Sequence, residues 1–207
     1  MAQNKDGGGK GRGRPRAYDP DVALQQALGV FWNTGYSGSS LDSIASAAGM
    51  NRPSLYAAFG DKHALYIKAL EQYWDFAAAD MHEALTNPDL TLPEALMRFY
   101  EGQLSIYYSG GGLPRGCFAI GTATAEAVED AAIREVLADR LGRLDDELEV
   151  RLRAAVAAGE LSPDVDPAAL AVLASAMLHS ISIRARAGKS RDDLTALARN
   201  AVNVICG

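Results

Sequence analysis

Apolar residues recur three and four positions apart along most of the chain, the spacing that gathers them on one side of an α-helix. Leu24, Leu28, Phe31 and Trp32 form the first such stripe. Asp19 opens it as an N-cap with Pro20 in the first helical position, and Gly35 stops it. Two short helices follow between Ser39 and Lys62. Ser40 caps the first, whose stripe is Ile44, Ala45 and Ala48, and Gly49 supplies the left-handed residue at which it stops. Asn51 caps the second, Pro53 sits in its first turn and Leu55 anchors it. Two short helices with a small residue at their contact and a tight turn between them form a helix-turn-helix pattern. Arg52, Ser54 and Tyr56 then fall near the exposed start of the second helix, the end that meets base edges in this motif.

The remaining pattern is helical too. Asp61 caps a long helix running to about Leu85, with Leu65, Ala69, Tyr73, Phe76 and Asp80 on successive turns. Thr91 and Glu94 make a capping box for a fifth helix carrying Leu96, Phe99, Tyr100, Gln103, Ile106 and Tyr107. The glycines at 110–112 and Pro114 read as a loop; without a preceding strand or a following Lys-Ser/Thr it is not a phosphate-binding loop. A short helix over 117–128 comes next, then an amphipathic one through Ile133, Leu137, Leu141, Leu144, Leu148 and Leu152 to Gly159. An eighth helix over 167–187 is rich in small residues, and a ninth starts at Ser190. The pattern predicts an all-α fold of about nine helices, in which no run is long and apolar enough to cross a bilayer. Apolar stripes on the last two helices, beyond a domain that already has a core, predict a homodimer interface through Ala174, Met177, Leu194, Leu197, Ala201 and Val202.

The run G-Y-x-x-[ST]-S-x-x-x-I-A-x-x-A-G-M-x-x-x-x-L-Y-x-x-F-x-x-K, from Gly35 to Lys62, resembles the DNA-binding domain of the TetR (tetracycline-repressor-like) transcriptional regulators. The combination of Ile44-Ala45, Gly49, Leu55-Tyr56, Phe59 and Lys62 carries the likeness. It implies a three-helix DNA-binding domain over 17–62 and a helical ligand-binding and dimerisation domain over 63–207, while a Gly-rich, basic composition predicts a flexible arm over residues 1–16. It also implies double-stranded operator DNA and a small-molecule effector as partners. Arg52, Pro53, Ser54 and Tyr56 would face the groove, with Ser40 and Lys62 on phosphate.

Charge sharpens this picture. The chain of 207 residues carries −6, yet residues 1–62 hold seven Lys/Arg against five Asp/Glu, and residues 1–16 hold five against one. An acidic body with a basic head suits a protein whose head alone meets phosphate. Arg12-Gly13-Arg14-Pro15-Arg16 has two readings: Arg14 and Arg16 enter a narrow A·T-rich minor groove, or the arm makes general phosphate contacts.

Candidate chemistry is sparse elsewhere. The three histidines lie on separate helices, the two cysteines are far apart, and neither metal-ligand spacing nor a nucleophile elbow occurs. The sequence therefore points away from an enzyme, a resident metal, a cofactor or a membrane partner, and towards a reducing cytoplasm. Candidate effector contacts are Tyr73, Trp74, Phe99, Gln103, Tyr107, Cys117, Phe118, Thr122 and His179, aromatic walls with a few polar groups that suit a mostly apolar molecule. Two other readings stay open: a redox- or metal-responsive regulator sensing through Cys117, and an architectural DNA-binding protein without an effector. Cys117 opens a short helix beside Arg115, which favours a thiolate, while Phe118, Ala119 and Ile120 favour a packed, inert thiol.

Overall fold

Local capping sets most helix starts in the computed structural model, which describes residues 18–207. Asp19 accepts from the Asp21 amide and opens α1 (Pro20–Gly38). The helix is broken at Gly35, whose φ of 77° and ψ of 172° turn the chain before Ser39. Ser40 opens α2 (Leu41–Ala47), Asn51 opens α3 (Arg52–Phe59) and Asp61 opens α4 (Lys62–Thr86), each side chain accepting an amide three residues on. Glu94 accepts from both the amide and the hydroxyl of Thr91 at the start of α5 (Leu92–Tyr107). Helix α6 (Phe118–Glu126) is a little shorter than its sequence range. Asp130, Asp166 and Ser190 then cap α7 (Ala131–Ala157), α8 (Pro167–Arg186) and α9 (Arg191–Cys206). Among the described residues these nine helices are the whole regular structure.

The helices pack into a head and a body around one apolar core. Helix α1 lies across α2, α4 and α6, so the head rests directly on the body. Helix α4 belongs to both, touching α1 and α3 with its start and α5 and α7 further along. In the body α5 packs on α9, and α8 is held between α7 and α9. The core is continuous, from Phe31, Ile44 and Leu55 in the head to Phe99, Tyr100, Leu148 and Ile181 in the body. Edge-on aromatic contacts join the two parts: Phe31 to Tyr66 at 5.1 Å, Tyr66 to Phe118 at 5.8 Å, and Phe118 to Tyr73 at 5.6 Å. Each such pair contributes about 0.5–1.5 kcal/mol beyond the area it buries.

Packing refines two of the sequence-based expectations. On α1 the fully covered positions are Ala23, Ala27, Phe31 and Trp32, with Leu24 and Leu28 at the edge. On α4, Leu65, Ala69 and Tyr73 are buried and Phe76 is 65% exposed. The expectation that no run is apolar enough to cross a bilayer is corrected by α8, which reaches a mean hydropathy of 1.5 over an 18-residue window. Its charges, Arg184 and Arg186, are confined to the last turn. One face packs into the body through Ala171, Ala174, Leu178, Ile181 and Ala185, while Val172, Leu173 and Ile183 remain exposed.

Candidate nucleic-acid interface and interior cavity

The helix-turn-helix is built by reciprocal local bonds. Ser43 N–H donates to the Ser40 hydroxyl at 3.1 Å, and the Ser40 amide donates back to Ser43 Oγ at 3.2 Å. At the other end of α2, the Met50 amide reaches Ala45 O at 2.9 Å and the Gly49 amide reaches Ser46 O at 3.2 Å. That paired closure needs a left-handed residue, and Gly49 takes it at φ 62° without a Cβ penalty. Leu55 and Phe59 turn inwards, leaving Arg52, Pro53 and Tyr56 exposed on α3 and Ser54 half-buried beside its cap.

Both cations of the described head are engaged within the chain. The Arg52 fork grips Asp42 of α2 through Nε and Nη2, one bond to each carboxylate oxygen, which raises the guanidinium pKa further. Nη1 keeps its two hydrogens for another acceptor. Lys62 Nζ donates to Ser39 O at 2.7 Å and lies 4.5 Å from the Tyr36 ring centre. Asp61 occupies the start of α4 where a phosphate was expected beside Lys62, accepting the Ala64 amide at 2.8 Å. Residues 18–62 hold two basic side chains, Arg52 and Lys62, against Asp19, Asp21, Asp42 and Asp61. The positive excess of the head therefore rests on the arm. Arg14 and Arg16 lie outside the described residues.

A joint links this head to the body through the start of α6. Trp32 Nε1 donates to Gly116 O at 3.1 Å, buried from water. Arg115 lies 4.2 Å above the same indole, and Tyr73 meets its edge at 5.1 Å. Tyr66 OH and Thr122 Oγ1 are 2.6 Å apart, Ser37 Oγ donates to Glu126 at 3.0 Å, and His63 Nε2 lies 2.7 Å from Asp130. Gly116 has φ 65°, and a Cβ there would stand 2.5 Å from Ser182 O on α8. Glycine is required twice over at this point, by dihedral angle and by close approach.

Behind the joint lies an interior cavity of about 50 Å³ between α4, α5, α6, α7 and α8. Six of the expected contacts border it: Tyr73, Trp74, Gln103, Tyr107, Cys117 and His179. Phe99 is buried elsewhere in the core, while Phe118 and Thr122 serve the head–body joint. Arg140 also borders it, 5.6 Å from the Trp74 ring centre, with Asp75 at 3.8 Å. Its place on the apolar side of α7, between Leu137 and Leu144, was the available signal in the sequence. Gln103 Nε2 donates to Ala77 O at 3.2 Å, and the Tyr73 hydroxyl is buried beside the Cys117 thiol.

Burial dominates the electrostatics of this cavity. It pushes the Tyr73 and Tyr107 hydroxyls well above the ordinary tyrosine range and draws His179 below 6.5. The Cys117 thiol is pushed up by burial, which outweighs the opposite pull of the Ile120 and Ala119 amides and the Tyr73 hydroxyl. Arg115, expected to favour a thiolate, is turned onto Trp32 instead. The site therefore favours a neutral thiol. Among the described residues no group of three or more His, Cys, Asp and Glu side chains is placed to hold a metal ion.

The expected interface residues on the last two helices divide by orientation. Ala174, Leu194, Ala201 and Val202 are buried inside the single chain, and Met177 and Leu197 are half-buried. Exposed apolar side chains lie beside them: Val172, Leu173 and Ile183 on α8 and Val204 on α9.

A capped helix-turn-helix carried by the first turns of a helix that borders a body cavity defines a two-part DNA-binding regulator. Residues 23–69 match the family described as bacterial regulatory proteins, tetR family, and residues 94–202 match the tetracyclin repressor-like C-terminal domain. The chain is 32% identical over 189 residues to the HTH-type transcriptional repressor ComR of Escherichia coli strain K12, covering 91% of this chain and 90% of that one. It is 32% identical over 108 residues to the repressor BdcR of the same organism, covering 52% and 54% of the two chains. A cysteine mutant of the TetR family regulator CifR, complexed with a 26-base-pair operator duplex, superposes with a TM-score of 0.79 at 32% identity, covering 92% and 98%. The chain belongs to the TetR family of transcriptional regulators.

Proposed function

We propose that this chain is a dimeric transcriptional repressor that holds a palindromic operator and is released from it by a small, mostly apolar effector. The reading is supported by the shared use of α4, whose first residue, Lys62, donates to Ser39 O beside the helix-turn-helix and whose Tyr73 and Trp74 border the cavity three turns later. The names of ComR and BdcR and the operator complex of CifR support repression through operator DNA.

In this reading Arg52 and Tyr56 meet base edges, Ser40 and Lys62 meet phosphate, and the arm supplies the positive charge that the rest of the head lacks. The dimer forms on the uncovered apolar face of α8 and α9. A cavity of about 50 Å³ holds only a few atoms, since one water needs roughly 10–15 Å³. A larger effector therefore selects a state in which the walls from α6 or α7 have moved, and α6 is joined to the head. Near-complete inversion of a two-state population requires about 10⁴-fold preference for the released state, roughly 5.5 kcal/mol.

The test is footprinting on DNA upstream of the gene, followed by anisotropy titration of the protected duplex at fixed salt, with and without small apolar compounds. A protected palindrome bound by a dimer and freed by one compound class is the expected result. Binding that is indifferent to sequence would refute the reading.

A further inference from the structure

We propose that the groove between α1, α4 and the 109–115 loop is a second binding site, one for an organic anion with an apolar tail whose acid group docks on Arg115. The groove is separate from the interior cavity; Tyr73 is the single residue bordering both. Its volume of about 670 Å³ falls within the range of about 300–1,000 Å³ usual for small-molecule sites.

Arg115 is the anchor of this site. Three arginines among the described residues are partly buried: Arg115, Arg140 and Arg151. Arg151 stands 3.3 Å from Glu160, and Arg140 stands 3.8 Å from Asp75. Arg115 has no carboxylate beside it among the described residues. Its Nη2 donates to Ser109 Oγ at 3.2 Å, and its Nε is buried with no partner. A guanidinium removed from water is stabilised by a matching anion, and a carboxylate fits its fork through two parallel bonds. Desolvation lowers the Arg115 pKa, opposed by the Tyr73 hydroxyl alone and by no carboxylate. The guanidinium lies 4.2 Å from the centre of the Trp32 ring, and both residues line the groove.

The walls describe the rest of the ligand. Val22, Leu28, Phe76 and Ile106 line the groove, and Phe76 and Val22 are 65% and 52% exposed. These side chains would gain from an apolar tail laid over them. Asp21 borders the groove about 16 Å further along α1 from Trp32, at 1.5 Å per residue, and repels a second negative charge there. The occupant is therefore a monoanion with one acidic end.

Calorimetric titration of the full-length protein with octanoate, 1-octanol and octyltrimethylammonium tests the site. Octanoate should bind with one site per chain, at least about tenfold more tightly than either control, as expected when one charge-assisted pair is added. Arg115→Gln should reduce octanoate to the level of octanol, and Arg115→Lys should keep part of the preference. Phe76→Glu, at an exposed position that does not endanger folding, should abolish octanoate binding by repulsion. Equal binding of octanoate and octanol by the parent, no binding at millimolar concentration, or an unchanged preference in Arg115→Gln overturns the proposal. Loss of binding in Arg140→Gln but not in Arg115→Gln overturns it too, by placing the anion at the interior cavity. Because no operator enters this experiment, its outcome is independent of the repressor reading.

Discussion

The indole N–H of Trp32 donates to the carbonyl of Gly116 at 3.1 Å across 84 residues of sequence, joining the first helix of the head to the entry of α6. The next residue, Cys117, borders the interior cavity, and Ser182 Oγ of α8 accepts its amide at 2.9 Å. The α6 entry is thus bonded directly to both α1 and α8.

Trp32→Phe keeps an aromatic ring in the joint and removes the donor. Equilibrium unfolding in urea should show a loss of about 1–3 kcal/mol, the cost of leaving a buried carbonyl unpaired. Gly116→Ala should lose about 1–3 kcal/mol from its φ of 65° alone, with the Ser182 contact adding to it. Full stability in both variants would show that the joint is not tight.

At the proposed DNA face, Arg52→Ala should weaken the footprinted operator by about 1–3 kcal/mol and relax one base position, while Lys62→Ala should weaken all duplexes alike. Asp42→Asn removes a carboxylate from the same face and frees the Arg52 fork. It should raise affinity for a scrambled duplex, measured by anisotropy at one salt concentration. Unaltered operator and scrambled binding in all three would remove α2 and α3 from the interface.

Removing residues 1–16 takes away five basic side chains and one acidic one, leaving a head whose described residues carry more acid than base. The slope of log affinity against log salt should become shallower by roughly 0.9 for each phosphate that the arm had neutralised. A slope equal to the parent's would mean that the arm does not touch DNA.

Dimerisation separates the two sides of α8 and α9. Leu173→Arg or Ile183→Asp, on the exposed face, should give folded monomers by sedimentation velocity with unchanged helical circular dichroism. Val202→Asp should unfold the chain, because the charge enters the core of the single subunit. A dimeric Leu173→Arg would place the interface elsewhere.

Acid should destabilise the body through His179. Its folded pKa is drawn below 6.5 by burial, with Asp145 opposing, so the unfolded chain binds the proton first. The neutral form's contribution is present above about pH 6.5 and is lost as pH falls towards the folded value. His179→Gln should flatten the stability profile over that window, as read from melting temperature against pH.

Features that arise within a few residues of chain could be read before any packing was known. Asp19, Ser40, Asn51, Asp61 and Glu94 make bonds to near neighbours, so the starts of α1 to α5 and the turn at Gly49 were legible without any partner helix. Which side of a helix a neighbour takes is a property of the whole packing, and there the pattern ran out. Phe118 and Thr122 share the apolar character of a cavity wall, yet they face Tyr66 of α4 because α6 lies against the head. On α8, Ala174 could not be told from Leu173 by periodicity, since that helix is apolar on more than one face. Intrachain packing took one face and left the other exposed. The Asp42–Arg52 pair and the unpartnered Arg115 were likewise decided by tertiary structure, because a charge's partner depends on which helices meet and its desolvation on how closely they do.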